Sequence, residues 1–400
     1  MKATSFNTGW TCRHLGNSAP GTPVTLPHDA MLAEERSQTS AGGTNTGWFA
    51  GYDYLYEKHF TPDAAQAAQC AVLEFEGVYH NAEVHLNGEK IASCPYGYSD
   101  FYADLTGKLL PGRDNVLEVI AHNADQPNSR WYSGAGIYRP VTLWTAPARH
   151  ILPDGVQVRT LSIDPAEVEV TVQTTASGAV AVAILDDEQT VATAQAESNG
   201  KAVLRVQIPN AKLWSPDSPA LYRCRAMFGD DCAETTFGVR TLSWGDDGFL
   251  LNGKRVILLG ACVHHDHGVL GACCYPEAEE RKVRLLQKVG YNAVRCAHNP
   301  CSKAFLDACD RLGMLVMEMY LTRIAGIEPT AGCAGCLCCR DSWHGGTVPR
   351  RRQLDSAVPR PGNVSAGQPL FQPPCAGKCP RHDSDGGLLR SGWPRLQRRL

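Results

Sequence analysis

No stretch of these 400 residues approaches the ~18 consecutive apolar residues that a membrane-spanning helix needs. The opening M-K-A-T-S-F-N-T-G-W lacks the apolar run of a secretion leader, so a cytoplasmic protein is the expectation. Charge of one sign is lacking too. A formal net charge of −3 gives no general attraction to nucleic acid or to an anionic membrane, and neither is an expected partner. What is present is ordinary: hydrophobic content of 43% and charged content of 20% suit a soluble globular chain, with length for about two to four domains. Cysteine is plentiful at 17 residues, but those before residue 320 are scattered, several inside apolar runs (Cys70, Cys262, Cys296, Cys309). That pattern fits reduced, buried cysteine acting as a small hydrophobe.

Helical periodicity is missing from residues 1–147. Short alternating runs take its place, C-A-V-L-E-F-E-G-V, A-E-V-H-L-N-G-E-K-I-A and N-V-L-E-V-I-A-H-N among them, and they read as strands. Asn87-Gly88 between two of them predicts a hairpin, because both residues tolerate positive φ. Many short strands imply a β-sandwich of jelly-roll type. In N-S-R-W-Y-S-G-A-G-I-Y-R-P-V (128–141), Gly134 and Gly136 do not make a nucleotide loop, having neither a third glycine nor a following helix. Residues 148–243 repeat the β theme with V-E-V-T-V-Q-T, V-A-V-A-I-L and A-V-L-R-V-Q-I. Turn signals at Ser177-Gly178 and Asn199-Gly200 separate them, and the spacing predicts an immunoglobulin-like sandwich acting as a spacer.

The period changes near residue 249. F-L-L-N-G-K-R-V-I-L-L-G-A-C predicts a hairpin and then a continuous apolar strand of the kind buried on both faces. A helix follows: Pro276 suits its first position, Glu277, Glu279 and Glu280 suit its dipole, and Gly290 stops it. Strand 292–296, a helix over about 302–312 ended by Gly313, and strand 314–317 come next. Alternating strands and helices open a parallel α/β sheet or barrel.

In such a barrel, functional groups lie just after the C-terminal ends of strands. His264, His265, Asp266 and His267 follow the first barrel strand; Arg295 and His298 end the second. Two successive strands deliver histidines to one rim, which makes His264, Asp266, Arg295 and His298 the candidate site. His265 and His267 read as structural or solvated. A zinc site in H-H-D-H is disfavoured, because adjacent histidines point differently and the spacing is not H-x-x-x-H.

N-A-V-R-C-A-H-N-P, four residues, F-L, and then D-R-L-G-M-L-V-M resembles the signature of glycoside hydrolase family 2, the β-galactosidase and β-glucuronidase family. G-A-C-V-H-H-D resembles its first barrel-strand motif, and R-W-Y-S-G-A-G-I-Y-R its sugar-binding jelly roll; L-P-H-D (26–29) and F-G-V-R (237–240) also fit. The likeness spans residues 5–317 in consistent order. It implies a retaining exo-β-glycosidase acting on a terminal β-linked sugar: jelly roll (1–147), immunoglobulin-like domain (148–243), then a (β/α)8 barrel starting at 244–320. It implies a carbohydrate substrate, no cofactor, and homo-oligomers among full-length members; any family metal ligands would come from later barrel strands. By resemblance, His264 and His298 line the sugar subsite, and Arg295 lies beside the nucleophilic carboxylate, keeping it ionised. Asn299 departs from the tyrosine usual in the family.

The family's two catalytic glutamates, held ~5–5.5 Å apart in retaining enzymes, come from later strands, one of them within an Asn-Glu pair. No Asn-Glu pair follows residue 317 here, and beyond Glu318 the one glutamate is Glu328, with no strand before it. Residues 244–400 number 157, against ~250 for a complete barrel. Residues 321–400 hold 11 Arg, 9 Pro, 11 Gly and 6 Cys, and carry a formal charge of +7. They read as an aberrant, low-order tail, as after a shifted reading frame or a truncated gene. Its C-x-x-C and C-x-x-x-C pairs and Arg350–Arg352 suggest neither a zinc fold nor a nucleic-acid site. The chain is therefore expected to be catalytically inactive, with both catalytic glutamates missing. An open piece of barrel is also expected to expose apolar strand and helix faces.

Overall fold

The computed structural model describes residues 1–318 and the backbone of Trp343–His344. The low-order tail, with Glu328, the cysteine pairs and Arg350–Arg352, lies outside the described residues.

Two antiparallel sheets form the first sandwich. One takes Lys2–Ser5, Val141–Ala146, Cys70–Phe75 and Phe101–Asp104 in that order. The other takes Thr22–Val24, Trp10–His14, Tyr54–Phe60, Asn115–Ala121, Ala82–Leu86 and Glu89–Cys94. Alternation does the sorting: along Asn115–Ala121 every second residue is buried. Leu117 and Val119 thereby join Trp10, Tyr56, Leu73, Phe75 and Val84 in one core, each large side chain contributing roughly 1.5–3 kcal/mol of burial. The predicted hairpin is present, with Asn87 and Gly88 at φ of 52° and 82°.

The second sandwich departs from its expected turns. Ser177-Gly178 lies inside one strand, Ala166–Asp186, and Asn199-Gly200 inside its partner, Gln189–Gln207. The two pairs face each other, Ser177 against Asn199, just past a register shift after Gln173. Turn residues here bend a long ladder instead of ending it, a bulge use of glycine. The hairpin turn falls at Asp187, whose φ is 52°. Val168, Val170, Val172, Val182, Ile184, Phe228 and Phe237 make the core.

The α/β part runs β1 (Gly260–Val263), α1 (Pro276–Lys288), β2 (Ala293–Cys296), α2 (Lys303–Leu312) and β3 (Leu315–Met317). The three strands are parallel neighbours, and Trp343–His344 pairs antiparallel with β3. Ser302 caps α2 by accepting from the Phe305 N–H, and Gly313 ends it in the left-handed region at φ 80°. Val283, Val294, Phe305, Met314 and Val316 pack between strands and helices. The apolar run before β1 is not a two-face-buried strand. Ile257 is 70% exposed and Leu259 54%, and Gly260–Cys262 are exposed as well. The Asn292 side chain donates to the Ile257 carbonyl and accepts from the Leu259 N–H, each at 2.9 Å. The backbone there bonds to a side chain, and β1 stands at the edge of the described sheet.

Candidate functional site

Cys262 is paired with Arg295 and Val263 with Cys296, so β1 and β2 end level and their outgoing loops share one rim. The His264 and His298 rings meet there nearly perpendicular, centroids 6.1 Å apart. Arg295 Nη1 lies 3.1 Å from His298 Nδ1. A guanidinium only donates, so His298 Nδ1 accepts and the ring proton sits on Nε2. Burial lowers the His298 pKa, and Arg295, His264 and Arg130 add to that, so the ring is neutral near pH 7.

A third ring completes the cluster. Trp131 stands 5.5 Å from His264 and 5.5 Å from His298, tilted against both. Its indole N–H donates to the Tyr98 hydroxyl at 3.0 Å, which fixes the ring's orientation. Trp131 is a member of the cluster that the barrel-strand pattern does not point to, because it comes from the first sandwich. The available signal was its place in R-W-Y-S-G-A-G-I-Y-R, the stretch that resembles the family's sugar-binding jelly roll.

The other candidates separate. Asp266 is half-buried, and among the described residues no hydrogen bond or ion pair joins it to His264, Arg295 or His298. His265 and His267 are not solvated. His265 is buried edge-on to Tyr98 and Tyr138 and donates from Nε2 to the Ser133 carbonyl at 3.1 Å. Burial above all brings its pKa down to about 4, so it stays neutral. His267 lies 3.4 Å from Glu279. Asn299 is buried, with its amide turned to the Pro300 carbonyl, and Glu318 accepts from the Cys301 N–H at 3.2 Å. Among the described residues, the carboxylates close enough to share a cation are Glu74, Asp100 and Asp154; they lie outside the ring cluster, and Lys303 already pairs with Glu74.

The rim is fastened to the first sandwich by buried polar groups. Asp29 Oδ1 accepts from the Met31 and Ala135 N–H groups, at 3.1 and 3.0 Å; Oδ2 accepts from the Tyr132 hydroxyl at 2.7 Å and the Ala272 N–H at 2.9 Å. Two glycines allow the approach: a Cβ on Gly134 would stand 2.6 Å from Ala272 Cβ, and one on Gly271 2.3 Å from Asp29 Oδ2. Gly134 is thus a packing glycine, which accounts for a motif that only superficially looks nucleotide-binding. Arg139, also buried, donates to the Pro300 carbonyl at 2.8 Å and to those of Tyr98 and Glu76, holding the loop that carries His298.

Three family models match in series: "Glycosyl hydrolase 2 galactose-binding domain-like" over residues 10–148, "Glycosyl hydrolases family 2" over 154–240, and "Glycosyl hydrolases family 2, TIM barrel domain" over 243–336. Beta-galactosidase BoGH2A of Bacteroides ovatus is 36% identical over 346 residues, which is 79% of this chain and 40% of that enzyme. A solved glycosyl hydrolase family 2 member from Bacteroides cellulosilyticus superposes with a TM-score of 0.73 at 34% identity, over 80% of this chain and 48% of that one. A beta-glucuronidase from Faecalibacterium prausnitzii gives 0.67 at 28%, over 80% and 60%. The chain thus spans about two fifths to three fifths of the length of the proteins it matches here. With jelly roll, immunoglobulin-like sandwich and the opening strands of the barrel in family order, the chain belongs to glycoside hydrolase family 2 and corresponds to its N-terminal part.

Proposed function

We propose that this chain forms the sugar-gripping rim of a retaining exo-β-glycosidase of the β-galactosidase and β-glucuronidase type, and that it binds a terminal β-linked sugar without cleaving it. The observation that carries this reading is the cluster of Trp131, His264, His298 and Arg295 at the C-terminal ends of β1 and β2. Neutral imidazoles can donate to and accept from hydroxyls, an indole face covers the apolar side of a pyranose, and a fixed guanidinium favours a neighbouring anion. Retaining chemistry needs two carboxyl groups ~5–5.5 Å apart across the scissile bond. Two acids near the rim have other tasks: Glu318 holds the Cys301 loop, and Glu279 is buried among Ser302, Lys282 and His267.

Calorimetry of the 400-residue chain with methyl β-D-galactoside and methyl β-D-glucuronide tests binding. Trp131→Ala should weaken the affinity by about 1–2 kcal/mol, or roughly five- to thirtyfold. Nitrophenyl β-glycosides should not be turned over; family-like rates would overturn the non-cleaving half of the reading. The alternative is a non-catalytic carbohydrate-binding fragment whose site lies in the sandwiches. Its sugar binding would survive His264→Ala and His298→Ala unchanged.

A further inference from the structure

We infer that Glu279 is a positioning residue for this rim: one buried carboxylate that holds both the loop carrying His264 and the loop carrying His298. The inference rests on the sugar-rim reading above. Glu279 lies in the first turn of α1 and is 3% exposed. Its Oε1 accepts from the Ser302 hydroxyl at 2.8 Å, and the same hydroxyl accepts from the Phe305 N–H to start α2. The segment from Ala297 to Ser302, with His298 in it, is anchored there at its far end. Oε2 lies 3.3 Å from Lys282 Nζ, which donates to the His264 carbonyl at 3.0 Å. His267, three residues along the same loop, stands 3.4 Å from Oε2. The Lys282 approach is a charge contact, and both it and that of His267 are longer than a good hydrogen bond.

An acid serving only the α1 dipole would do so while solvated, as Glu277 does. Burying the charge instead costs several kcal/mol unless it is paired. Burial pushes the Glu279 pKa up, but His267, Lys282 and Ser302 outweigh it and bring it down to about 2, so the group is ionised at neutral pH. A small pocket beside it, lined by His264, His265, Lys282, Asn299 and Ser302, has room for about one water. Glu279 therefore acts through Lys282 and Ser302 and not on the sugar.

Glu279→Gln keeps the shape and an acceptor for Ser302 but removes the attraction for Lys282 and His267. The His264 ring signals, followed by NMR in the free protein, should move, those of His298 should move less because the Ser302 acceptor is kept, and affinity for methyl β-D-galactoside should fall about tenfold. Lys282→Met should move the His264 signals more than those of His298, which the neighbouring ring reaches only through its ring current; Ser302→Ala should do the reverse. A merely structural acid would not divide the two rings in this way. Unmoved rings and unchanged affinity in Glu279→Gln overturn the inference. If that variant does not fold, Lys282→Met and Ser302→Ala decide it: both rings unmoved in both overturns it, and the divided pattern supports it. Absence of sugar binding by the unmodified chain would count against the site's function alone, since the ring signals still report on Glu279.

Discussion

Residues 116–121 and residues 256–262 are both rich in apolar side chains, and the structure treats them in opposite ways. In the first sandwich, Leu117, Val119 and Ala121 are fully buried while the residues between them are only partly covered. In the run leading into β1, Ile257 and Leu259 are more than half exposed. The side-chain chemistry is similar, so the difference lies in what the neighbours supply. A sandwich strand needs cover on one face, and its own domain brings the opposing sheet. A parallel barrel strand needs cover on both faces and a hydrogen-bonded neighbour on each side. Here β1 has β2 on one side only among the described residues. Apolar pattern thus states a demand for burial, and topology decides whether it is met.

The sharpest way to probe this contrast is to cut the tie between the two regions. Asp29→Ala would leave the N–H groups of Met31, Ala135 and Ala272 and the Tyr132 hydroxyl without their acceptor in a buried setting. A loss of about 3–5 kcal/mol in urea denaturation is expected, since orphaned buried donors cost far more than a hydrogen bond contributes. Protease should then cut the α/β part well before the sandwiches. Equal susceptibility of the two regions would mean that the sandwich cores depend on the α/β part as much as it depends on them.

A smaller effect should appear with pH. The pKa of His265, lowered by burial to about 4, means that the unfolded chain takes up a proton below about 6.5 that the folded chain refuses. Its contribution to stability is fully present above pH 6.5 and is lost as pH falls from there towards about 4. The urea midpoint should drop over that window, and His265→Gln, which cannot titrate, should flatten the decline. Because His265 reaches across to Ser133, an identical decline in the variant would show that the contact between the two regions is not where acid acts.

What could be read from the sequence follows the same division between local and remote causes. Pro276, Ser302, Gly313 and Asn87-Gly88 act on their own backbone, and each stands where its chemistry placed it. Ser177-Gly178 is also a local signal, but a partner strand paired along both sides turned it from a chain reversal into a bend. His264, Arg295 and His298 were visible because they follow strands in a repeating α/β pattern. Trp131 was not, since only the docking of one domain on another brings it to them. Which of His264 and His265 faces the rim depends on Tyr98 and Tyr138, again supplied by another domain. Glu277, Glu279 and Glu280 look alike in sequence, and only burial against Ser302 and Lys282 singles out the middle one.

The smallest expected effect tests the open edge directly. Ile257→Ser removes a side chain that is 70% exposed, so little burial is lost and stability should change by no more than about 0.5 kcal/mol. Leu73→Ala, at a fully buried position of the first sandwich, should cost about 2–5 kcal/mol by the same urea measurement. The serine should lower self-association in sedimentation, because it shortens an apolar strip beside an edge strand. If Ile257→Ser instead costs as much as Leu73→Ala, the strip is covered in solution. The contrast between a closed sandwich and an open barrel edge would then be one of which partner covers each face, and no longer of whether a face is covered at all.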